Sequence, residues 1–425
     1  MGGNSMPWVN KKSVLLASTA VALSMVAGSA FAGGFALREQ SSYFQGMSFA
    51  GYGTSGGSIS SMYWNPASLI GAQQGLTIEA HNTGLFPSSD INGTLSGGFL
   101  GTSSIGSGDI ASDAFIPASY AAYRLNEKLI FGVGINAPFG LSTKPEQNWA
   151  AQFYSRSSSV FSLNVNPTVA LQINDMFAIA IGVQAQYLDV SLKSADATSG
   201  AGFPRSNQIT GDDIGFGVTA GLTVRPFEGT EIGLGYRSGV GHDLDGDLFA
   251  GGVTTAIGLG VVTPDMINLS AKQKVTDKIR VLGTVEWTNW SRLKSPRAIN
   301  DATGAEATVL HFNYDDGWFF SLGGEYDFNE KLTFRGGVGY EISPIDEKIR
   351  STRLPDNNRW WLSAGASYTF NEHLAFDVGY THIIPESTDI NIDSSHQDYN
   401  AAFGTYSGDV DSSVNIISAA LRYKF

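Results

Sequence analysis

The densest run of chemistry-bearing residues is "GYGTSGG", residues 51–57. It satisfies G-x-G-x-x-G through Gly51, Gly53 and Gly56, a pattern that cradles phosphates. It also satisfies G-x-S-x-G through Gly53, Ser55 and Gly57, a pattern that presents a nucleophilic serine. Both mechanisms need an apolar strand before the turn and an amphipathic helix after it. Neither flanks this run, and a chain with 51 glycines produces such matches by chance. "DLDGD" places Asp243, Asp245 and Asp247 at alternate positions, as calcium loops do. Its glycine falls at the fourth place rather than the sixth, and Thr254 stands where a bidentate glutamate belongs, so a solvated loop is the simpler reading. The six histidines, His81, His242, His311, His373, His382 and His396, lack zinc-site spacing. The chain has no cysteine, which removes thiolate chemistry and disulfides. No catalytic residue, metal or cofactor is expected.

If the residues do not make or break bonds, the elements that hold them become the question. Charged residues are 15% of the 425, below the usual quarter, and the formal net charge is −13. That acidity argues against nucleic acid as a partner. The one long apolar run lies at the start: Lys11 and Lys12 precede "SVLLASTAVALSMVAGSAFA", which ends at Ala30-Phe31-Ala32. A basic head, an apolar middle and an A-x-A end make residues 1–32 a secretory signal peptide.

Beyond it, six polar turns recur between alternating runs: "LNEKL", "INDMF", "PFEGTEI", "VTDKI", "FNEKL" and "FNEHL". Tight polar turns between such runs read as hairpins. In "RWWLSAGASYTF", Trp360, Leu362, Ala364, Ala366 and Tyr368 share one face, opposite Ser363, Gly365 and Ser367. Period two with one apolar face is a strand signal. Six hairpins give twelve strands, and one more at each end gives fourteen. Short turns on one rim and long loops (194–211, 242–263, 343–357, 386–411) on the other are the pattern of an outer-membrane barrel. The expected fold is all-β: a 14-stranded antiparallel transmembrane β-barrel over residues 75–425. Alternation up to the terminal Phe425 fits a barrel-insertion signal. A propeller is the rival fold, but each interval holds two long strands and a loop rather than four short strands.

Residues 33–74 do not alternate. They are too apolar to lie in water, and a barrel of this size has a lumen to fill; the expectation is an N-terminal plug inside it. "LIFGVGINAPFGLSTK", residues 129–144, alternates like a strand yet contains Pro138, which cannot donate to a ladder, and Gly140, which permits a bend. Read alone, the proline either kinks the third strand or ends it at the rim.

The ordered set "GGFALREQSS…GMSFAGYG…WNPASL", "APFGLSTK", "NPTVALQIND", "GLGYRS" and "RLPDNNRWWLSAGASYTF" resembles the FadL/TodX family of outer-membrane hydrophobic-compound transporters. The resemblance implies a hatch inside the barrel with its signature at Asn65-Pro66-Ala67. It implies passive uptake of long-chain fatty acids or other hydrophobic molecules, with no energy source. It places a lateral gate at the kinked third strand, over Asn136, Ala137, Pro138, Phe139 and Gly140, with Asn65 expected to satisfy backbone groups orphaned there. It implies a ligand pocket between hatch and upper wall, to which Phe35, Leu37, Phe44 and Phe49 are assigned, and at most a carboxylate contact at Lys193. The family's second basic position falls at Leu310-His311. A monomer in the Gram-negative outer membrane, among lipid and lipopolysaccharide, is the setting. A general diffusion porin and a barrel hydrolase are the alternatives.

Overall fold

The computed structural model describes residues 33–98, 101–200 and 202–425. The stretch read as a signal peptide lies outside the described residues. Among those described, twenty strand segments form one antiparallel sheet that closes on itself. Fourteen staves make the ring. In chain order they begin with β1 (Gly75–Ser96), β2 (Ala114–Arg124), β3 (Leu129–Asn136) continued by β4 (Gly140–Thr143), β5 (Ser157–Gln172), β6 (Phe177–Ala195) and β7 (Ser206–Val224). Next come β8 (Thr230–Arg237) continued by β9 (Gly241–Ala250), β10 (Val253–Val262) leading into β11 (Met266–Lys274), and β12 (Ile279–Thr288). A small hairpin, β13 (Arg297–Asn300) and β14 (Glu306–Val309), pairs onto β10. The ring is completed by β15 (Gly317–Asp327), β16 (Leu332–Ile342), β17 (Arg359–Thr369), β18 (Leu374–Pro385) with its continuation β19 (Thr388–Ile392), and β20 (Thr405–Lys424). The β20–β1 ladder, from Thr77↔Lys424 to Ser96↔Thr405, shuts the ring. Closure leaves the sheet no free edge, as hydrocarbon surroundings demand.

The short-turn rim has a local cause. In five of the six turns a backbone bond of about 3 Å closes the loop, as from Leu125 N–H to Leu129 C=O and from Phe370 N–H to Leu374 C=O. Inside each, one side-chain oxygen (Asn126, Asn174, Thr276, Asn329 or Asn371) accepts two backbone N–H groups. These Asx-type turns recur because Asn offers the backbone a local partner. On the other rim, residues 242–263 are not the loop expected from their Asp and Gly content; they are the hairpin β9–β10. The aspartates face out while Leu244 and Leu248 face in. Likewise β7 and β20 run further than the loops 194–211 and 386–411 allowed.

Period two sorts the side chains. On β17 Trp360 is exposed to the outside and Trp361 is wholly buried. Residues 33–74 fill the ring in three short turns: a helix Ser42–Gln45 capped by Ser41, a 3₁₀ turn Ile59–Tyr63 capped by Ser58, and a 3₁₀ turn Pro66–Gly71 capped by Asn65. Tyr52 stacks on Trp64 with ring centroids 4.4 Å apart, and Phe44 and Phe49 pack around the same indole. This segment lies so close to the wall that the inner face must carry glycines. A Cβ at Gly233, Gly235 or Gly337 would overlap the backbone of Gly53, Trp64 or Met47.

The inward charges of the wall meet this segment rather than water. Arg38 pairs with Glu286 at 2.7 Å and Glu341 at 3.1 Å. Glu325 accepts from Tyr43 and pairs with Arg335 at 3.0 Å; Asp377 pairs with Arg422 at 2.7 Å. All these acids are buried. Burial without a partner costs several kcal/mol per ion, so the charges are matched, by Arg38 and Tyr43 of this segment and by Arg335 and Arg422 on neighbouring staves.

Gly337→Val should expel the segment around Met47 while leaving the ring closed. The measurable result is a heat-resistant barrel that passes small sugars in liposome swelling, whereas the native chain does not.

Candidate functional site

The third stave breaks where the proline falls. β3 pairs with β5 up to Asn136↔Asn164, and β4 resumes at Gly140↔Phe161. Three residues, 137–139, therefore face two, 162–163, which is a β-bulge. On its other side β3 pairs with β2 only as far as Ser119↔Ile135. Residues 114–118 of β2 keep their ladder to β1 and have none to β3 or β4. Pro117 sits in that stretch, where a missing donor costs nothing.

The backbone groups of the bulge find other partners. Leu37 N–H donates to Pro138 C=O at 2.8 Å, and Gly140 N–H donates to Phe35 C=O at 2.9 Å. Gln40 Nε2 donates to Ala137 C=O at 2.7 Å. Phe139 N–H and C=O both bond the hydroxyl of Ser162, at 2.8 and 2.7 Å. The plug thus lays residues 35–37 along the broken wall as a short edge, with Ala36 bridged to Phe139. Leu37 fits against Gly140, whose added Cβ would stand 2.8 Å from Leu37 Cδ1.

Asn65 is not at this break, which corrects the expectation. Its Oδ1 accepts from Ala67 N–H at 3.0 Å, and its Nδ2 donates to Gly53 C=O at 2.7 Å and Leu222 C=O at 3.2 Å. The Asn-Pro-Ala run is therefore a cap, a pre-set first helical residue and a small contact that seat the plug on β7.

Above the bulge lies a cavity of about 570 Å³, within the range of ligand sites. Val160, Leu188, Leu244, Leu259 and Leu293 wall it, with Leu141 on the side of the bulge and Phe35 below. Of the four assigned plug residues, Phe35 alone lines it. Leu37 faces a small void of about 20 Å³ beside Arg38 and Trp290. Phe44 and Phe49 are 1% and 0% exposed in the plug's own core; their aromatic spacing signalled burial, and burial was against Trp64 rather than a ligand.

Lys193 is also displaced from the assigned role. Leu188, Leu192 and Ser194 of β6 line the cavity, so Lys193 has the outward parity. Its carbonyl instead receives Arg353 Nη1 at 3.0 Å. Arg353 belongs to the loop 343–358, which crosses the mouth and is pinned by Ser155 to Thr352 (2.8 Å) and by Thr143 to the Arg353 carbonyl (3.1 Å). Arg353 lines the cavity and makes no ion pair among the described residues. Burial pulls its guanidinium down to about 10. Asp398 and His311 share that end, and burial raises the Asp398 carboxyl against the attraction of His396, Arg353 and His311. Leu310 and His311 thus do reach the cavity. Arg353 escaped sequence reading because nothing in a Gly/Pro/Asp-rich loop marks which side chain folds back inward.

The discounted motifs have structural roles. Ser55 donates to Glu231 at 2.6 Å and accepts from Arg225 at 2.8 Å, fixing the plug to the short-turn rim. Asp243, Asp245 and Asp247 are exposed on the outer face of β9, and no metal-holding group of acids and histidines occurs among the described residues.

Comparison with known proteins agrees with this geometry. Residues 23–425 match the family described as outer membrane protein transport protein (OMPP1/FadL/TodX). The chain is 27% identical over 380 residues to a long-chain fatty acid transport protein of Escherichia coli O6:H1, covering 80% of this chain and 84% of that one. It is 27% identical to outer membrane protein P1 of Haemophilus influenzae, covering 86% and 88%. Among solved structures, a Pseudomonas aeruginosa FadL homologue superposes with a TM-score of 0.82 at 19% identity, over 93% of this chain and 100% of that one. The Pseudomonas putida toluene transporter TodX gives 0.67 at 14% identity, over 90% and 98%.

Leu37→Pro removes the donor to Pro138 C=O. Loss of one such bond with an orphaned acceptor is worth about 1–3 kcal/mol, so hydrogen exchange at the Gly140 amide should speed up by roughly one to two orders of magnitude. Unchanged exchange would show that the plug does not hold the break.

Proposed function

The chain belongs to the outer membrane protein transport protein family that includes FadL and TodX, and from that premise we propose that it carries long-chain fatty acids or other hydrophobic molecules across the outer membrane and releases them sideways into the bilayer. The observation that carries this reading is one juxtaposition. A bulge in the third stave borders an apolar cavity, and three of the bulge's backbone bonds are made by Phe35, Leu37 and Gln40 of the plug.

The energetics suit passive transfer. Burying a ligand methylene is worth about 0.8 kcal/mol, so an acyl chain gains several kcal/mol on reaching the cavity. Withdrawing the Phe35 and Leu37 contacts and the Gln40 amide, with Arg38 kept on Glu286 and Glu341, breaks three hydrogen bonds at roughly 0.5–1.5 kcal/mol each. A ligand that competes for the space of Phe35 can offset that cost. Withdrawal of Phe35 and Leu37 then joins the cavity to the gap between β2 and the bulge. The ligand moves from one apolar surface to another without crossing water, and no nucleotide or gradient is required.

Residues 33–74 act as the hatch in this scheme, and Asn65, Pro66 and Ala67 are its fixed hinge side rather than its gate. The chain acts as a monomer, inserted through its C-terminal strand, where Phe425 N–H bonds Leu76 C=O at 2.9 Å. Lipopolysaccharide surrounds the long-loop rim. The Ser55 hydroxyl, held by the Glu231 carboxylate and the Arg225 guanidinium, suits an anchor of the plug rather than a nucleophile. A general diffusion pore is disfavoured by the filled ring.

Arg353 gives the cavity a polar end suited to a carboxylate. Arg353→Gln should weaken binding of a long-chain fatty acid about tenfold or more, the worth of a charge-assisted bond, and leave toluene binding unchanged. Equal loss for both ligands in a fluorescence titration would make Arg353 a structural residue only. Asp398 has a raised pKa and faces the same ligand. A bound anion raises it further, so fatty acid binding should strengthen as pH falls through that range, and Asp398→Asn should flatten the profile.

Pro138→Val with Gly140→Val should restore a straight stave and push out Leu37. Uptake of a labelled fatty acid by cells should then collapse while the barrel stays heat-resistant; uptake at the native rate would overturn the gate at this bulge.

A further inference from the structure

A second break interrupts the wall in the seventh stave, four beyond the first. β7 pairs with β8 from Val224↔Ile232 to Thr219↔Arg237, and with β9 only from Asp212↔Asp245 upward. Between these ladders, six residues of β7 (213–218) face seven (238–244). Neither ladder continues there, and the bend itself contributes Ser238 N–H to Val218 C=O at 2.9 Å. Side chains add further bonds. Val218 N–H donates to Ser238 Oγ at 2.9 Å, and Asp243 N–H to Asp213 Oδ2 at 3.2 Å. The partner stave is broken at the same height, between β10 and β11, at Thr263, Pro264 and Asp265. There Asp265 accepts from Gly239 N–H at 2.9 Å, and Thr263 Oγ1 accepts from Val240 N–H at 2.9 Å. Hairpin β9–β10 thus joins the lower barrel through a bend where side-chain bonds stand beside two backbone bonds, Ser238 N–H to Val218 C=O and Thr263 N–H to Val240 C=O, each at 2.9 Å.

The bend borders the cavity. Leu244 and Thr263, on either side of it, both line the space. One side chain closes the break from within. Val240 is 1% exposed, and its methyls lie 2.5 and 3.0 Å from where Cβ atoms would stand on Gly215 and Gly217. Those two glycines leave the hollow that Val240 fills. Outside, Ile214, Phe216 and Val218 are exposed, and Phe216 at 71% is among the most exposed apolar side chains of the wall. Just above, Asp212 and Asp245 stand side by side on the outer surface. The break therefore sits where the outer face changes from apolar to acidic.

We propose that this break is a second sideways portal, closed by Val240, through which the cavity communicates with the outer leaflet. It rests on the transport reading above. Its rim of paired aspartates selects against anions, so its ligands are uncharged hydrophobic molecules. Opening keeps both flanking ladders, β7–β8 below and β7–β9 above: only the bend at residues 238–241 flexes, and Val240 leaves the glycine hollow.

The absence of cysteine makes the test clean. An ideal Cβ at Gly217 lies 2.7 Å from Ser238 Oγ, and one at Gly140 lies 3.4 Å from Leu37 Cγ. Both pairs are near enough for a disulfide, whose Cβ atoms stand about 3.8 Å apart. Gly217→Cys with Ser238→Cys locks the second break; Leu37→Cys with Gly140→Cys locks the first. Protein in nanodiscs is loaded with pyrene or with a pyrene-labelled fatty acid, and release into quencher-bearing bilayer is timed before and after reduction. For pyrene, each lock alone should cut release to about half, as parallel routes do when one lid is fixed. Both locks together should stop it, and reductant should restore it. The labelled acid should be stopped by the first lock alone. Val240→Ala, which needs no cross-link, should speed pyrene release. The portal is overturned if the first lock alone stops pyrene, or if neither the second lock nor Val240→Ala changes its rate. Failure of the unlocked protein to take up either probe would sink the transport reading itself.

Discussion

A closed sheet in hydrocarbon must pair every backbone N–H and C=O, and everything else in this protein works around that demand. The wall can be opened only where the orphaned groups are given other partners. At the third stave three of those partners come from the plug, through Leu37, Phe35 and Gln40, and the rest from Ser162. The break and the plug are therefore one device. A plug that merely filled space would leave Pro138 C=O and Gly140 N–H unpaired whenever the wall departed from its ladder. Here the same six residues that occupy the lumen also complete the sheet.

The close fit has an electrostatic counterpart. Arg38 brings one cation to two wall carboxylates, Glu286 and Glu341, and Tyr43 sits among Glu325 and the Arg335 guanidinium. Buried ion pairs of this kind contribute little net stability, but breaking one partner away is costly. They fix the depth and rotation of the plug more than they hold it in. The glycines at 233, 235 and 337 act in the same direction by letting backbone approach backbone. Phe35 and Leu37 flank the Arg38 clamp at the far end of this body and reach the bulge through single backbone bonds. That end can move while the core around Trp64 and the Asn65 cap stays put.

The cavity takes its shape from the long-loop side. Its leucines come from the upper halves of β4, β6, β9 and β10 and from the loops above them, and its roof is the loop 343–358 laid across the mouth. Apolar walls give affinity without direction; Arg353 and Asp398 give one end a polarity. A site built this way accepts many hydrocarbons and ranks them by length and head group.

Alternation, recurrent Asn turns and a lipid-compatible composition were enough to count fourteen staves, because period two and Asx turns are local and repeat wherever the backbone geometry does. The plug was legible as an apolar stretch without alternation, and Pro138 with Gly140 marked a weak place, because a missing donor is a property of the residue itself. Partner choice was not local. Asn65 bonds Leu222 rather than the bulge, Phe44 and Phe49 bury against Trp64, and Lys193 faces outward while Arg353 turns in. Each of these depends on which distant segment arrives opposite, and ring closure brings together residues more than a hundred positions apart. Covalent order determined the staves, the turns and the flaw in the wall; only the closed ring, by forcing every buried polar group to find whatever lay across the lumen, decided what fills that flaw and which side chains meet in the cavity.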